Sequence, residues 1–177
     1  MPTEKSGQDL LYDRAIDDYG PAIVRLARFY EVDSEKRQDL LQEIHLALWR
    51  SFQGFDSRCS LRTWVYRVAH SAAISYVAHR RRLDSRALQN LDALEDIPDK
   101  INIESVVDQN EKIKCLLALI QHLFPLDRQV ILLYLEGMDA MSIGEITGIS
   151  PGNVAVKIHR IKSIIADRFW KGCRHER

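Results

Sequence analysis

The chain has 177 residues, 46% apolar and 28% charged. It contains no apolar run near the roughly 18 residues that a membrane span needs. This is the composition of a soluble globular protein, with room for one ordinary core or two small ones. Basic and acidic side chains number 25 each, which is unusual for a protein that holds DNA by phosphate neutralisation alone. Residues 1–9 lack the basic and apolar regions of a secretory signal, so we expect a cytoplasmic protein without membrane insertion.

The segment from Asp9 to Arg82 has helical apolar spacing throughout. Apolar residues recur at intervals of three and four, and no convincing alternation of the strand type appears. Gly20-Pro21 is expected to interrupt the first helix, and Ser34 is a good N-cap for a helix that ends near Phe52. The first part of the chain is therefore predicted to be an all-helical unit.

The helix over residues 39–52 has two different faces. One is an apolar stripe expected in the core, formed by Leu41, Ile44, Leu48 and Phe52. The other is formed by Asp39, Gln42, Glu43, Leu46 and Arg50. Acids, an amide and an exposed leucine together suit docking on a partner helix. Taken alone, however, this second face is better interpreted as a solvated charged surface.

A short loop and a third helix follow. The loop covers Gly54 to Cys59, and Ser60 can cap a helix from Leu61 to about Arg82. The expected core stripe of this helix is Leu61, Val65, Val68, Ala72 and Tyr76. Trp64 follows the apolar side, so a structural role is favoured over stacking on bases.

The middle of the chain is acidic, and a second helical unit follows it. Residues 86–112 carry 3 basic and 7 acidic side chains. Residues 84–103 also contain Pro98 and only scattered leucines, which is typical of a linker. The second unit is expected from residue 104, with a helix that starts at Pro125 and ends at Gly137.

The C-terminal part predicts a helix-turn-helix. Ser142-Ile143-Gly144-Glu145 has the pattern of a capping box, Gly148 can end that helix, and Ser150-Pro151 can begin the next. This next helix is expected to bury Val154, Ile158, Ile161 and Ile165. Its polar side chains, which could reach phosphates and base edges in the major groove, are Asn153, Lys157, His159, Arg160 and Lys162. The alternative is an ordinary helical hairpin with a solvated basic face.

Several of these motifs together resemble the extracytoplasmic-function branch of the sigma-70 family. They are D-L-L-Q-E-I at residues 39–44, F-x-x-F at 52–55, S-L-R-T-W-V-Y-R-V-A at 60–69 and the helix-turn-helix. The resemblance covers about residues 9–82 and 111–169. It implies two small helical domains, a sigma-2-like domain at 1–83 and a sigma-4-like domain at 104–177, joined by the acidic linker at 84–103.

The resemblance also implies partners and roles. The partners are core RNA polymerase (its beta and beta-prime subunits), promoter DNA as duplex and as single strand, and an anti-sigma factor that covers both DNA-reading surfaces. The residues that would dock on the polymerase clamp helices are Asp39, Gln42, Glu43, Leu46 and Arg50. A pocket for a flipped base of the minus-ten element would be formed by Gly54, Phe55, Asp56, Ser57 and Arg58. The opened strand would be contacted by Arg67, His70, Ser71, Ser75, His79 and Arg80, with Arg81 and Arg82 following. The minus-thirty-five element would be read by Ser150, Asn153, Lys157, His159, Arg160 and Lys162.

The chain departs from the family pattern at some of these positions. Relatives commonly have Arg-Asn and a later Asp on the strand-reading helix, where this chain has His70-Ser71 and Ser75. The recognition helix has Ser150-Pro151-Gly152-Asn153-Val154-Ala155 in place of the common S-E-G-x-V-K. The fold expected from the resemblance is unaffected, but the promoter sequence stays open.

Two other classes of protein are alternatives to this interpretation. An autonomous helix-turn-helix regulator would bind its promoter tightly without polymerase, and zero net charge argues against it. An enzyme would need paired catalytic groups, but the chain has no Gly-rich phosphate loop, no H-E-x-x-H and no nucleophile elbow. Cys59, Cys115 and Cys173 stand far apart, and the six histidines occur singly. We therefore expect a non-catalytic protein that needs no metal or cofactor.

Overall fold

The computed structural model of the chain describes residues 6–88 and 109–174. Within these ranges the chain forms helices and no strand, which confirms the all-α prediction. The helices are α1 (Gly7–Tyr30), α2 (Ser34–Ser51), a 3-10 turn (Phe52–Gly54), α3 (Leu61–Leu88), α4 (Gln109–Gln121), α5 (Pro125–Leu135), α6 (Ala140–Thr147) and α7 (Pro151–Arg174). None of these described helices is long and apolar enough to span a membrane.

α1 runs straight through Gly20-Pro21, so the predicted interruption there was wrong. The helix begins at a capping box, in which Ser6 and the Asp9 carboxylate each accept from the backbone N–H of the other residue. Proline inside a helix costs about 3 kcal/mol, because it lacks an N–H and crowds the preceding turn. Ala22, Ile23, Leu26 and Ala27 on the next turns are buried, and this packing holds α1 together across the proline.

α2 is capped one residue earlier than predicted, and its buried stripe is also shifted. The N-cap is Asp33 rather than Ser34, because the Asp33 carboxylate accepts from the backbone N–H of both Glu35 and Lys36. Leu40, Ile44, Leu48 and Phe52 are buried, whereas Leu41 is only half-buried. A strict spacing of four residues therefore sets the core side of α2.

α3 begins where the sequence predicted and ends later. The Ser60 hydroxyl accepts from the Thr63 N–H at 3.0 Å, which confirms Ser60 as the cap. Of the expected core stripe only Val65 is buried, and the other members are half-buried at the edge of the core. The buried positions after Val65 are Tyr66, Ala69, His70 and Ala73. The helix continues to Leu88, so residues 84–88, which were assigned to the linker, are helical.

The helix-turn-helix is formed by α6 and α7. Most of the residues predicted to begin or end these helices do so in the structure. Gly148 ends α6 with φ +78, and Ser150 accepts from the Asn153 N–H at 3.3 Å as the start of α7. The cap of α6 is Asp139, whose carboxylate accepts from the Ser142 N–H at 2.8 Å, so the capping box predicted at Ser142 was wrong. Val154 and Ile161 are buried, with Ile158 and Ile165 packed at the edge of the core.

Helices α1 to α3 pack on one another as one unit, and α5 to α7 pack as a second, with α4 against α7. The two units also touch. α3 contacts α5 and α6, and α1 contacts α4. The described part of the chain is therefore one body with two helical units side by side.

Candidate nucleic-acid interface

The predicted docking face of α2 lies on its outer side. Asp39, Gln42, Glu43, Leu46 and Arg50 are all exposed. Leu46 and the neighbouring Trp49, which the sequence analysis did not single out, are both about two-fifths exposed. The Trp49 indole N–H donates to the Asp9 carboxylate at 3.0 Å, and the Trp49 carbonyl accepts from Gln8. α1 thus fixes this ring beside Leu46, and the stripe combines an apolar centre with charged flanks.

The loop from Gly54 to Arg58 has an unusual backbone and one buried anchor. Ser57 has φ +61 and is the one residue other than glycine with a positive φ among those described. Phe55 is half-buried, with its ring 5.3 Å from that of Trp64 and 6.2 Å from that of Phe52. Its neighbours hold this ring, so the exposed polar groups of the loop are those of Asp56, Ser57 and Arg58. Asp56 pairs with the Arg58 guanidinium at 3.0 Å.

α3 presents a polar stripe along one side. Ser71, Ser75 and His79 are exposed and stand four residues apart, so they lie above one another on the helix. Arg67 and Arg80 are half-buried, and Arg81 and Arg82 extend the exposed basic surface. Trp64 is half-buried, and its indole N–H donates to the Ser51 hydroxyl at 2.9 Å, which agrees with the structural role expected for it.

His70 does not belong to this stripe, and its prediction as a strand contact was wrong. Only 1% of it is exposed. Its Nδ1 hydrogen-bonds with the Tyr30 hydroxyl at 3.0 Å, and the two rings meet edge to face. Burial lowers the pKa of His70 to about 3, so the imidazole is neutral. Ser71, the next residue, is exposed, and a partner 40 residues earlier in the chain determines the side on which His70 lies.

The basic face of α7 is partly paired by its own unit. Ser150, Asn153, His159 and Lys162 are exposed. The Lys157 ammonium lies 2.5 Å from the Asp127 carboxylate, and the Arg160 guanidinium lies 3.6 Å from the other oxygen of the same group. The Lys162 ammonium stands over the Tyr134 ring at 5.4 Å.

Asp127 is a residue that sequence reasoning missed. It lies in the first turn of α5, where an acidic residue would normally be explained by the helix dipole. Its side chain is only 8% exposed and turns toward α7. It fixes Lys157 and leaves Arg160 largely exposed, so the basic face of α7 has one anchored and one exposed cation.

The described residues include no cluster of three or more His, Cys, Asp or Glu side chains that could hold a metal ion. The predicted site residues instead form three surfaces. They are a mixed apolar and charged stripe on α2, a polar loop and stripe on α3, and a basic face on α7.

Two families match the chain, one on each unit. The family described as sigma-70 region 2 matches residues 15–83, and sigma-70, region 4 matches residues 113–165. Among curated proteins, the chain is 29% identical over 116 residues to the ECF RNA polymerase sigma factor SigG of Mycobacterium tuberculosis, covering 54% of this chain and 31% of SigG. It is 26% identical over 136 residues to SigX of Bacillus subtilis, covering 75% and 70%. The chain therefore spans about a third of the length of SigG.

Two solved structures share the fold. One is the sigma factor RpoE in complex with the anti-sigma factor NepR from Bartonella quintana, with a TM-score of 0.64, 17% identity, and coverage of 94% of this chain and 98% of RpoE. The other is CnrH in complex with the cytosolic domain of CnrY, with a TM-score of 0.60, 16% identity, and coverage of 88% and 85%. These similarities concern the arrangement of helices.

Proposed function

This chain belongs to the extracytoplasmic-function branch of the sigma-70 family, and on that premise we propose that it is an alternative sigma factor. It binds the beta and beta-prime subunits of core RNA polymerase, directs the enzyme to specific promoters and helps to open the DNA. The observation that carries the proposal is the match of both family regions, in order, to the two helical units. The polymerase performs the synthesis, and this chain supplies binding energy.

The proposed division of labour follows the two units. The first unit, predicted at 1–83, reads and opens the minus-ten element, and the unit at 104–177 reads the minus-thirty-five element as duplex. The connection between them was predicted at 84–103. Because α3 continues to Leu88, we now place the start of the connection after that residue.

α2 is the proposed polymerase-docking helix. Its outer stripe, from Asp39 to Arg50, is exposed and has an apolar centre at Leu46 and Trp49. A helix that docks on other helices needs this combination, because apolar anchors supply the energy and flanking charges set the register. The charge-neutral chain then borrows affinity for DNA from the polymerase that holds it.

The loop and outer side of α3 are the proposed single-strand surface. Opening a base from the duplex costs a few kcal/mol, so a protein that melts DNA must offer contacts that favour the unstacked base. The exposed loop residues Asp56, Ser57 and Arg58, with the stripe of Ser71, Ser75 and His79, can make polar contacts to bases and phosphates. Phe55, held against Trp64, would form the floor of the pocket.

α7 is the proposed duplex-reading helix. Its N-terminal residues Ser150 and Asn153 are exposed. They would enter the major groove, where an amide can pair with adenine. Arg160, His159 and Lys162 follow on the exposed side and would hold phosphates.

We place this activity in the cytoplasm, where the polymerase works, and we propose regulation by an anti-sigma partner. RpoE and CnrH, which share this fold, were solved with NepR and with the cytosolic domain of CnrY. A partner of this kind would cover the DNA-reading surfaces.

Run-off transcription tests the proposal. Purified chain is added to core polymerase from the same organism on fragmented genomic DNA, and discrete promoter-dependent transcripts are expected that are absent with core enzyme alone. Filter binding without polymerase is the companion measurement. Tight promoter binding by the chain alone, with no transcripts, would instead favour an autonomous regulator.

A further inference from the structure

Val156 is an apolar side chain in the middle of the outer face of α7. It is 68% exposed, and it was not among the residues predicted for this face. The opposite, core side of the helix is formed by Val154, Ile158, Ile161 and Ile165. Because an α-helix turns by about 100° per residue, Val156 points almost directly away from this core. Packing of α7 on its own unit therefore does not explain an apolar group here.

The side chains next to Val156 on the helix surface are polar. Asn153 and His159 stand three residues before and after it, and Arg160 stands four residues after it. All three are exposed. Single exposed apolar side chains are common on protein surfaces and by themselves indicate nothing. An apolar centre bordered by an amide and a guanidinium is more specific on a helix proposed to enter the major groove, because base edges present both polar and apolar groups there.

Gly152, one turn before Val156 on the same face, is a second and independent observation. A Cβ at this position would meet no atom within 4 Å, and the φ angle of Gly152 is not positive. Neither packing nor backbone conformation therefore requires a glycine here, although glycine weakens a helix relative to alanine. Its lack of a side chain leaves room beside Val156 for a surface that approaches the helix closely.

The charges of α7 lie beyond this turn of the helix. Gly152 to Val156 includes no charged residue. The next residue, Lys157, is held by the Asp127 carboxylate at 2.5 Å, and Arg160 one turn later has a side chain that is 64% exposed. Phosphate contacts from side chains need free donors or cations, whereas sequence is read by hydrogen bonds and apolar contacts to base edges. The turn around Val156 is therefore better suited to base edges than to phosphates.

Thymine is the base whose major-groove edge carries an apolar group. Its 5-methyl group projects into the groove, and apolar side chains are the ones that contact it. Asn153, which can pair with adenine, precedes Val156 by about 4.5 Å along the helix axis. This rise corresponds to roughly one to two base-pair steps of about 3.4 Å. The two side chains can therefore contact an adenine and a thymine that are neighbours or nearly so.

We propose that Val156 is a specificity-determining residue of α7, and that it selects DNA by contact with the 5-methyl group of a thymine in the upstream promoter element. This inference rests on the proposed function, in which α7 reads the minus-thirty-five element as duplex. Gly152 lets the helix approach the floor of the groove. Asn153 and Arg160 contact the bases or phosphates on either side of the thymine.

The test begins by finding the DNA that the chain prefers. The full chain is used to select duplexes from a library of random sequence, in one arm together with core polymerase and in a second arm alone. Each thymine of the selected upstream element is then replaced in turn by uracil, which pairs as thymine does and lacks only the 5-methyl group. Fluorescence anisotropy of the labelled duplexes measures the apparent Kd for each replacement.

The protein is varied in the same cycle, so that the methyl groups are removed from each side of the contact. With the unchanged chain, one thymine should respond to uracil with a loss of binding of about fourfold, the size expected for one methyl group returned to water. With Val156→Ala the same replacement should change binding by less than about 1.5-fold, because its partner is already gone. Val32→Ala is the matched control, since Val32 is 69% exposed in the turn between α1 and α2. It should keep the full fourfold response.

The outcomes separate this inference from the proposed function. Transcription from selected promoters at which no thymine responds to uracil, or at which Val156→Ala responds as fully as the unchanged chain, would overturn the role of Val156 and leave the sigma factor proposal standing. The predicted uracil response on duplexes selected by the chain alone, without transcripts from polymerase, would support Val156 and overturn the sigma factor proposal. Enrichment of no sequence in either arm would overturn both.

Discussion

The two basic helices, α3 and α7, differ in where their cations find partners. On α7, Lys157 and Arg160 pair with Asp127, a carboxylate of the same unit. On α3, Arg62 and Arg67 donate to backbone carbonyls of the other unit, at Glu136 and Glu145. Pairing inside a unit survives any movement of the two units, whereas pairing between units is lost when they separate. The two cations of α7 are thus held within their own unit, whereas Arg62 and Arg67 of α3 are held by the other unit.

The largest effect is expected on the outer stripe of α2. In the proposed function, α3 and α7 act at a promoter only after this stripe has docked the chain on the polymerase. Asp39→Ala with Glu43→Ala should reduce association with core polymerase by at least about 100-fold, because it removes two charges from the docking stripe of α2. Both residues are exposed, so the helical fold should be intact. Co-purification with core enzyme measures the effect. Asp17→Ala with Asp18→Ala removes the same charge from an exposed part of α1 and is the control. Normal co-purification of the α2 variant would refute the docking role.

The buried side of α3, where His70 lies, predicts how the free energy of unfolding depends on pH. His70 is neutral when folded, with a pKa of about 3, whereas a histidine in the unfolded chain titrates near 6.5. Below about pH 6.5 the unfolded state binds a proton that the folded state does not, so stability falls by about 1.4 kcal/mol per pH unit. Between pH 7 and pH 5 the native chain should lose about 2 kcal/mol more than His70→Gln, measured by urea unfolding. Parallel pH profiles for the two chains would contradict this.

Substitutions on the basic face of α7 should have a smaller effect, a loss of binding confined to the upstream part of the promoter. Lys157→Ala with Arg160→Ala should weaken contact with the minus-thirty-five region by about tenfold, since it removes two basic side chains from the recognition face. Footprinting of the polymerase complex should show loss of upstream protection with the minus-ten protection retained. An unchanged footprint would count against α7 as the reading helix.

The smallest effect is expected for the ion pairs that Asp127 makes with α7 inside the second unit. Asp127→Asn keeps the shape of the side chain but removes its charge, and should cost about 1 kcal/mol of unfolding free energy because its partners are partly shielded from water. The exposed Arg14–Asp18 pair is a fitting comparison, and Asp18→Asn should cost under about 0.5 kcal/mol. Equal losses in the two variants, measured by urea unfolding, would show that Asp127 does not anchor α7.

Local chemistry explains which parts of the fold were predictable. Ser60, Pro125, Gly148 and Ser150 mark helix ends in the structure as the sequence predicted, because each acts on its own first or last turn. Where two residues that could cap a helix lie close together in the sequence, only one of them becomes the N-cap. Asp33 and Asp139 cap in place of Ser34 and Ser142, since a cap is chosen by where packing lets the helix begin.

The site was predictable as far as it depends on helical spacing. The exposed stripe of α2 follows from residues three and four apart on one helix. The burial of His70 depends on Tyr30, the ordering of Lys157 depends on Asp127, and the contact at Arg25 depends on Glu136. Each of these partners is at least 30 residues away in the chain, and no periodicity within one helix indicates them.

Gly144 in α6 has a mechanical consequence for promoter reading. A Cβ at this position would lie 2.7 Å from the backbone oxygen of Ile149, closer than atoms can stand. The α6 backbone at Gly144 therefore packs directly against the turn into α7. Even alanine there would force the turn into α7, the proposed duplex-reading helix, to shift. Under the proposed function, the placement of the duplex-reading helix thus depends on a buried residue outside it.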